Sequence, residues 1–426
     1  MTLYRDYPLE ASDSIRLLTL HPGHGDATIE VHVMTVRLSA KPDFIALSYT
    51  WGSPVDERHP SYRDYDLVDY HISCAGELLA VNQNLHEALW QLRQKQECLP
   101  LWIDAVCIDQ KNKEEINDQL LLMRRIYCVA QCVIIWLGRD DATTQEAVQW
   151  LKDFGRGEDL TVREGDTQFP DSMSRERGQG LTPLFRRRWF NRVWTLQEVL
   201  LPQKTKCLCG PYELDIGDIC MFAALSLRTA SNGRFSSSDE LLNRHLRGAA
   251  CISAWHGMTL PAGGFGSRAF LRYPKMDREM EVSRSLKWLV ALELLVHESR
   301  QRDCSKLEDK ILAPLAFALL EDFAPKTSDY FLLQKEASRI ADCQIPVPEL
   351  YRKFTRFMIE SMSNLDILSR AHRHVVRGNR TEKLNLPSWV PPFQEAGTTS
   401  LIDDILFTKF NASIHLGPYR KVESSK

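Results

Sequence analysis

A tryptophan and a glutamate, Trp194 and Glu198, stand four positions apart in this 426-residue chain and have the types and spacing best suited to chemistry. That spacing puts both side chains on one face of a helix. A carboxylate beside an indole ring is partly desolvated, which raises its pKa, and a fixed carboxylate stabilises a cationic transition state. The alternative is a structural ion pair between Glu198 and Arg192 or a base of the run Arg186-Arg187-Arg188. Spacing alone leaves both interpretations open.

A second acidic candidate, Asp104, comes directly after the apolar run of residues 101–103. A helical pattern over residues 113–130 and an apolar run over residues 132–137 follow, which predicts a βαβ unit in a parallel sheet with a right-handed crossover. Ligands of such sheets bind beyond the carboxyl ends of the strands. Asp104 is therefore a candidate to hold a ribose hydroxyl, or alternatively a turn residue that accepts hydrogen bonds from backbone N–H groups.

Four further candidates end or follow the predicted strand of residues 44–48, namely Ser48, Tyr49, Trp51 and Gly52. We expect this strand to lie parallel to those of residues 101–103 and 132–137, because helical patterns separate them. Gly52 would let a ligand approach the backbone closely. For Trp51 we favour packing against the core over contact with a ligand.

Composition limits the classes of function. The net charge of -3 gives no basic field that would indicate nucleic acid. No apolar run is long enough for a membrane span and the amino terminus is polar, so we predict a cytoplasmic protein without a membrane segment.

The 11 cysteines are scattered and lack zinc-ligand spacing, which fits reduced thiols and no metal. Cys107, between two apolar residues, is expected to be a buried thiol and not a nucleophile. P-loop, serine-hydrolase and zincin motifs are absent.

The chain divides into two predicted parts. Residues 1–215 are expected to form an α/β domain with antiparallel hairpins added over residues 14–38 and 70–79, and residues 216–426 a mainly α-helical region. Asn82 or Asn84 is the predicted cap of a helix that precedes residue 101. Residues 153–180 are rich in glycine and polar residues, which predicts an irregular surface segment.

Three stretches together resemble the signature blocks of the fungal heterokaryon incompatibility (HET) domain. They are residues 46–52 (ALSYTWG), 101–110 (LWIDAVCIDQ) and 192–198 (RVWTLQE). The resemblance is strong over residues 14–215 and weaker beyond, where RDCS at 302–305, Asp309-Lys310 and LPSWVP at 386–391 follow the pattern of the region that often comes after the domain. Asp109 departs from the family, which usually has asparagine there, and adds a negative charge to the polar turn.

The HET domain is in turn remotely similar to the TIR domain, a flavodoxin-like α/β module. In TIR enzymes a glutamate four positions after a tryptophan cleaves the nicotinamide–ribose bond of NAD, and that position falls on Glu198. The resemblance implies Glu198 as the catalytic residue, NAD as substrate and no bound cofactor. Ser48, Tyr49, Trp51, Gly52, Asp104 and Trp194 would then bind the substrate.

Two hypotheses of different class follow for a protein of fungal non-self recognition and regulated cell death. In the first, the chain is an NAD-cleaving enzyme that depends on Glu198. In the second, it is a module that assembles with itself or binds a signalling partner, and the same residues serve the fold. Convergence of Glu198, Asp104 and Ser48 on an open cleft would favour the enzyme, and a filled site would favour the module.

Overall fold

A computed structural model describes residues 3–65, 70–93, 96–156, 181–231, 244–252, 284–318, 328–362, 367 and 384–394. Within them, one nine-stranded sheet has the order β5-β4-β2-β1-β6-β3-β7-β8-β9. Its strands are β1 (Ser14–Leu20), β2 (Glu30–Arg37), β3 (Ile45–Tyr49), β4 (Tyr70–Cys74), β5 (Glu77–Val81), β6 (Leu99–Trp102), β7 (Cys132–Trp136), β8 (Thr205–Cys209) and β9 (Tyr212–Leu214).

The central strand β3 pairs in parallel with β6 on one side and with β7 on the other. Ile45 stands opposite Leu101 in one register and opposite Cys132 in the other. The predicted parallel arrangement is thus confirmed, with β3 inserted between the two strands of the βαβ unit. Four of the five residues of β3 are buried, as is usual for a central strand whose two faces are covered.

Antiparallel pairs make the rest of the sheet mixed. The hairpin β1–β2 joins the centre where β1 pairs with β6, and the hairpin β4–β5 forms one edge. At the other end β8 pairs in parallel with β7 and antiparallel with β9. The α/β class predicted from the sequence is confirmed, and the narrower flavodoxin- or TIR-like topology stays a prediction.

Helices connect and flank these strands. The α-helices are α1 (Leu3–Asp6), α2 (Gln83–Leu92), α3 (Asp104–Cys107), α4 (Lys113–Val129), α5 (Thr144–Arg156), α6 (Thr195–Leu200), α7 (Ile216–Ser231), α8 (Arg284–Ser299), α9 (Asp309–Ala318), α10 (Ser328–Ile340) and α11 (Val347–Met362). Residues 181–185 and 244–252 are also helical, and Leu38–Ala40, Tyr62–Asp64 and Arg188–Asn191 are 3-10 turns. In the described part of the chain, no helix combines the length and the apolar character needed to cross a membrane.

Side-chain caps fix the starts of the two helices around the central strands. Asn82 accepts a hydrogen bond from the Leu85 N–H and so caps α2, as predicted. Asn112 accepts from the N–H groups of Glu114 and Glu115 and caps α4, which makes the crossover from β6 to β7. The predicted irregular segment of residues 153–180 begins within α5, and residues 157–180 lie outside the described part of the chain.

Two hydrophobic cores organise the described residues. The larger surrounds the sheet and takes in residues beyond position 215, among them Ile219, Phe222 and Leu295. The smaller is built mainly from α8, α9 and α11. Trp194 is partly buried against both cores, which places the segment before Glu198 at their junction. The division of the chain at residue 215 stays a prediction.

A run of like charges such as Arg186-Arg187-Arg188 is usually a solvated face, but two members of this run are buried. Arg187 is only 1% exposed, and its guanidinium donates to the Arg139 carbonyl and to the Asp141 carboxylate, each at 2.8 Å. Arg186 is also buried and pairs with Asp56 at 3.0 Å. Arg188 alone is exposed.

The difference in burial between Arg187 and Arg188 predicts that the same substitution lowers the free energy of unfolding by different amounts at the two positions. Arg187→Met leaves the buried Asp141 carboxylate without its main counter-charge, so we expect a loss of about 3–5 kcal/mol in the free energy of unfolding. Arg188→Met changes an exposed side chain and should stay within about 0.5 kcal/mol of the parent. Denaturant unfolding of the two variants measures this, and equal losses would contradict the buried ion pair.

Candidate functional site

Glu198 lies inside the protein, at the junction of α6 and β3. It is 2% exposed, and its carboxylate accepts a hydrogen bond from the Ser48 hydroxyl. The Ser48 oxygen in turn accepts a hydrogen bond of 2.7 Å from the indole N–H of Trp189. Ser48 stands near the carboxyl end of β3, so a chain of two hydrogen bonds ties α6 and the preceding 3-10 turn to the central strand.

The pKa of Glu198 is shifted towards neutral pH. Burial raises the pKa of its carboxyl to about 7, while the Arg192 guanidinium and the Ser48 hydrogen bond act in the opposite direction. The nearby Asp104 carboxylate adds to the rise. Near pH 7, Glu198 is therefore divided between its acid and base forms, which is the condition for proton transfer at that pH.

Asp104 starts helix α3 directly beyond β6, at the same sheet edge as Ser48. Its Oδ1 accepts hydrogen bonds from the Ala105 N–H at 2.7 Å and from the Trp51 indole at 3.2 Å. Burial raises the pKa of Asp104, and Arg192 opposes that rise. The predicted role as an acceptor for a backbone N–H is thus present, together with a contact to an exposed aromatic ring.

Arg192 supplies the positive charge of the site. Its guanidinium donates to the carbonyl of Tyr49 at the end of β3 and lowers the pKa values of both Glu198 and Asp104. The structural alternative for Glu198 is therefore partly present: Arg192 stabilises its charge, while its hydrogen bond comes from Ser48. Tyr49 itself is buried, which raises the pKa of its hydroxyl well above the usual range.

The expectation that Trp51 packs in the core is wrong. Its side chain is 43% exposed and is held by the hydrogen bond to Asp104. Gly52 follows with a φ of 79°, in the left-handed region that favours glycine, and a Cβ there would meet nothing within 4 Å. Backbone conformation by itself accounts for the glycine, and its part in binding a ligand stays a prediction.

Trp194 lies between the two hydrophobic cores. It immediately precedes α6, is half-buried, and acts to lower the pKa of Asp309. The packing on both sides holds the ring in place. A role in stacking on a ligand, as expected for Trp194, suits the exposed ring of Trp51 better.

Three side chains of this arrangement were not predicted as functional residues. Trp189 donates to Ser48, Trp194 acts to lower the pKa of Asp309, and the pKa of the buried Tyr127 is raised by both Glu198 and Asp104. Each comes from a segment distant in sequence from its partner. Local spacing carries no signal for such pairs, although the aromatic residues next to the arginine run could have indicated a buried turn.

The site is closed. Ser48 is 2% exposed like Glu198, whereas Asp104 and Arg192 are half-buried and Trp51 and Gly52 are exposed. An open cavity of about 520 Å³ lies elsewhere, between α5 and the edge strands, where Leu151, Thr205 and Ile216 line it.

Among the described residues, no three or more His, Cys, Asp or Glu side chains are grouped to hold a metal ion. Cys107 is buried, which raises its thiol pKa to about 12, as expected for a structural cysteine.

Comparison with known proteins places this site in a family. Residues 44–198 match the family model described as Heterokaryon incompatibility protein (HET). Heterokaryon incompatibility protein 6, OR allele, of Neurospora crassa is 33% identical over an alignment of 243 residues that covers 47% of this chain and 34% of that protein. The chain thus spans about a third of the length of this curated relative. No solved structure matches the chain significantly.

The match begins one residue before β3 and ends at Glu198. It therefore contains Ser48, Asp104, Arg192 and Glu198, the polar residues that the fold brings together. On this evidence the chain carries a heterokaryon incompatibility (HET) domain over residues 44–198.

Proposed function

We propose that the chain acts in fungal non-self recognition and regulated cell death, and that Glu198 is the catalytic carboxylate of an NAD nucleosidase. One observation carries this proposal. Glu198 is a buried carboxyl with a pKa near 7, held by Ser48 and set between Arg192 and Asp104 at the carboxyl edge of parallel strands. Strongly shifted carboxyls at that edge of a sheet are characteristic of reactive sites.

A single carboxylate is sufficient for cleavage of the nicotinamide–ribose bond. When the nicotinamide–ribose bond breaks, its electron pair leaves with nicotinamide, which becomes neutral, and positive charge develops on the ribose. Ionised Glu198 stabilises that charge, and water then attacks the anomeric carbon and loses a proton to the carboxylate. Asp104, half-buried beside Trp51, would accept a hydrogen bond from a ribose hydroxyl, and the exposed indole of Trp51 would stack on a heteroaromatic ring.

Entry of a substrate requires an opening. With Glu198 and Ser48 2% exposed, NAD reaches the carboxylate only after the surface layer formed by Trp51 and Asp104 moves. Loop movements of this kind gate many enzymes. A closed resting form also fits a protein whose activity would be harmful unless triggered.

The same burial favours a second candidate, a non-catalytic assembly module. The Ser48–Glu198 hydrogen bond fastens α6 to the central strand, as a structural residue would. Cell death would then follow from self-association or from the binding of a signalling partner. Loss of charge at Glu198 separates the two candidates, because it removes the chemistry while retaining a hydrogen-bonding side chain of the same size.

Glu198→Gln should abolish nicotinamide release and cell killing. The amide oxygen still accepts from Ser48, but it cannot stabilise an oxocarbenium-like state. Glu198→Asp should retain little activity, because a shorter side chain displaces the carboxylate from its productive position. Nicotinamide release from NAD is measured by chromatography, and killing on overexpression in a fungal host at matched soluble protein levels.

Glu30→Gln is the matched control for that experiment, since Glu30 lies exposed on β2 far from the site. It should release nicotinamide and kill like the wild type. Undiminished killing by Glu198→Gln would remove the enzyme hypothesis and leave the assembly module.

The raised pKa of Glu198 also makes stability depend on pH in a defined direction. A glutamate pKa of about 4.3 in the unfolded chain and about 7 in the folded protein means that the folded state binds more protons between these values. The stability associated with the protonated form is complete below about pH 4.3 and is lost as pH rises to about 7.

Glu198→Gln should therefore gain stability relative to wild type as pH increases, by on the order of 3 kcal/mol between about pH 4.5 and pH 8. Unfolding free energies at the two pH values measure this gain, and Glu30→Gln should show none. A difference between Glu198→Gln and wild type that does not change with pH would mean that Glu198 has an ordinary pKa.

A further inference from the structure

A cluster of two histidines and one cysteine lies at the end of β6 that is opposite to Asp104. It consists of His21, which directly follows β1, His32, which lies within β2, and Cys98, which directly precedes β6. His21 is half-buried, whereas His32 and Cys98 are exposed. The cluster is therefore separate from the Glu198 site, which lies beyond the other end of the same strands.

The register of the sheet explains why these three side chains meet. Strand β1 lies between β2 and β6, and its last residue stands opposite the first residue of β6. Continuing this antiparallel register by one residue sets His21 opposite Cys98. On the other side of β1, Thr19 stands opposite His32, which makes His21 the diagonal neighbour of His32 on the same face of the sheet.

The imidazole ring of His21 contacts the other two side chains through its two different nitrogens. Its Nδ1 lies 3.8 Å from the Cys98 Sγ, and its Nε2 lies 2.6 Å from the His32 Nδ1. Because the two contacts are on different sides of the ring, one metal ion cannot bind all three groups. One assignment of the hydrogens suits every atom: the thiol donates to His21 Nδ1, and His21 Nε2–H donates to His32. A nucleophile, a base and a group that orients the base are arranged in this order in nucleophilic sites.

The backbone around His21 is fixed on both sides. Its N–H donates to the Glu30 carbonyl at 2.9 Å, which continues the ladder between β1 and β2. The loop that follows is held by Arg93, the residue directly after α2, whose guanidinium donates to the carbonyls of Gly25 and Ala27 at 2.8 Å and 2.7 Å. The imidazole is therefore presented to the thiol from a rigid support.

Cys98 is also the one exposed thiol of the chain. All 11 cysteines lie within the described residues, and the other ten are buried or half-buried. Burial raises the pKa of the half-buried thiols of Cys132, Cys304 and Cys343, which keeps them protonated at neutral pH. A thiol reagent in solution therefore meets Cys98 first.

We propose that Cys98, His21 and His32 form a reactive-thiol site that takes low-molecular-weight disulfides. Exchange with a disulfide needs a thiolate, an acceptor for its proton and an open approach, and this cluster provides all three. His21 accepts the thiol proton, and His32 stabilises the resulting imidazolium by accepting its Nε2–H.

The exchange is balanced without any further reagent. The Cys98 sulfur attacks one sulfur of the disulfide in line with the S–S bond, so that a new S–S bond forms while the old one breaks. The electron pair leaves on the second sulfur, which takes the proton from His21. The products are a mixed disulfide on Cys98 and one small thiol.

Dithiodipyridine tests the site in the reduced full-length protein, because each exchange releases thiopyridone, which stopped-flow absorbance measures. One thiol per chain should react in a fast phase, at least about tenfold faster than N-acetylcysteine at the same pH. Mass spectrometry of peptides should locate the label on Cys98, and Cys98→Ser should abolish the fast phase.

Three histidine variants examine the base and its support. His21→Asn keeps a polar side chain but cannot accept the thiol proton, so the fast phase should slow by about tenfold. His32→Ala retains the base but removes the group that orients it, so we expect a smaller slowing of about threefold. His24→Asn is the matched control, since His24 is an exposed histidine of the same loop, and it should react like the wild type.

Fast labelling of Cys98 that slows in both His21→Asn and His32→Ala supports the proposal. Equal rates for Cys98 and N-acetylcysteine overturn it, as does a wild-type rate in His21→Asn. A wild-type rate in His32→Ala removes His32 and overturns the three-residue site. If circular dichroism shows that His21→Asn does not fold, the rate of His32→Ala and the comparison with N-acetylcysteine decide.

Discussion

A buried carboxylate is tolerable only when a positive charge or several hydrogen bonds offset the water that it has lost, and here one guanidinium supplies the positive charge. Arg192 is anchored by the Tyr49 carbonyl and offsets part of the pKa rise that burial imposes on Glu198 and Asp104. The end of the central strand, the 3-10 turn and the helical region are all arranged around that single cation. Its position therefore limits how far any of these three can move independently.

Arg192 cancels only part of the rise in the Glu198 pKa that burial causes. Full ion pairing would hold Glu198 permanently ionised, whereas the observed arrangement leaves its pKa near 7. A group in that state responds to small changes in its surroundings, such as the entry of water or the movement of Trp51. Both proposed functions can use such sensitivity, the enzyme for proton transfer and the assembly module for a change in packing.

The parts of this protein that could be predicted from sequence are those whose signals are local. Apolar runs separated by a helical pattern gave the parallel strands β3, β6 and β7, and motif resemblance placed Ser48, Asp104 and Glu198 at one site. Predictions failed where the outcome depends on a distant partner. Arg187 is buried because Asp141, 46 positions away, meets it. Trp51 is exposed because the loop beyond β3 turns outward at Gly52.

Asp309 illustrates the same limit within the resemblance itself. Its motif could be noted in the sequence, but only the fold shows that it stands beside Trp194. Contacts between segments more than a hundred residues apart are set by how two cores pack together. Residue spacing along the chain does not predict that packing.

The order of strands separates the parts of this sheet that tolerate change from those that do not. The strand that carries Ser48 has partners on both sides, while the hairpin β4–β5 and strand β9 form the two outer edges. A substitution or a length change in an edge hairpin disturbs one neighbour at most, several strands away from Glu198. The rims of the sheet can therefore accept changes that the interior around Ser48 cannot.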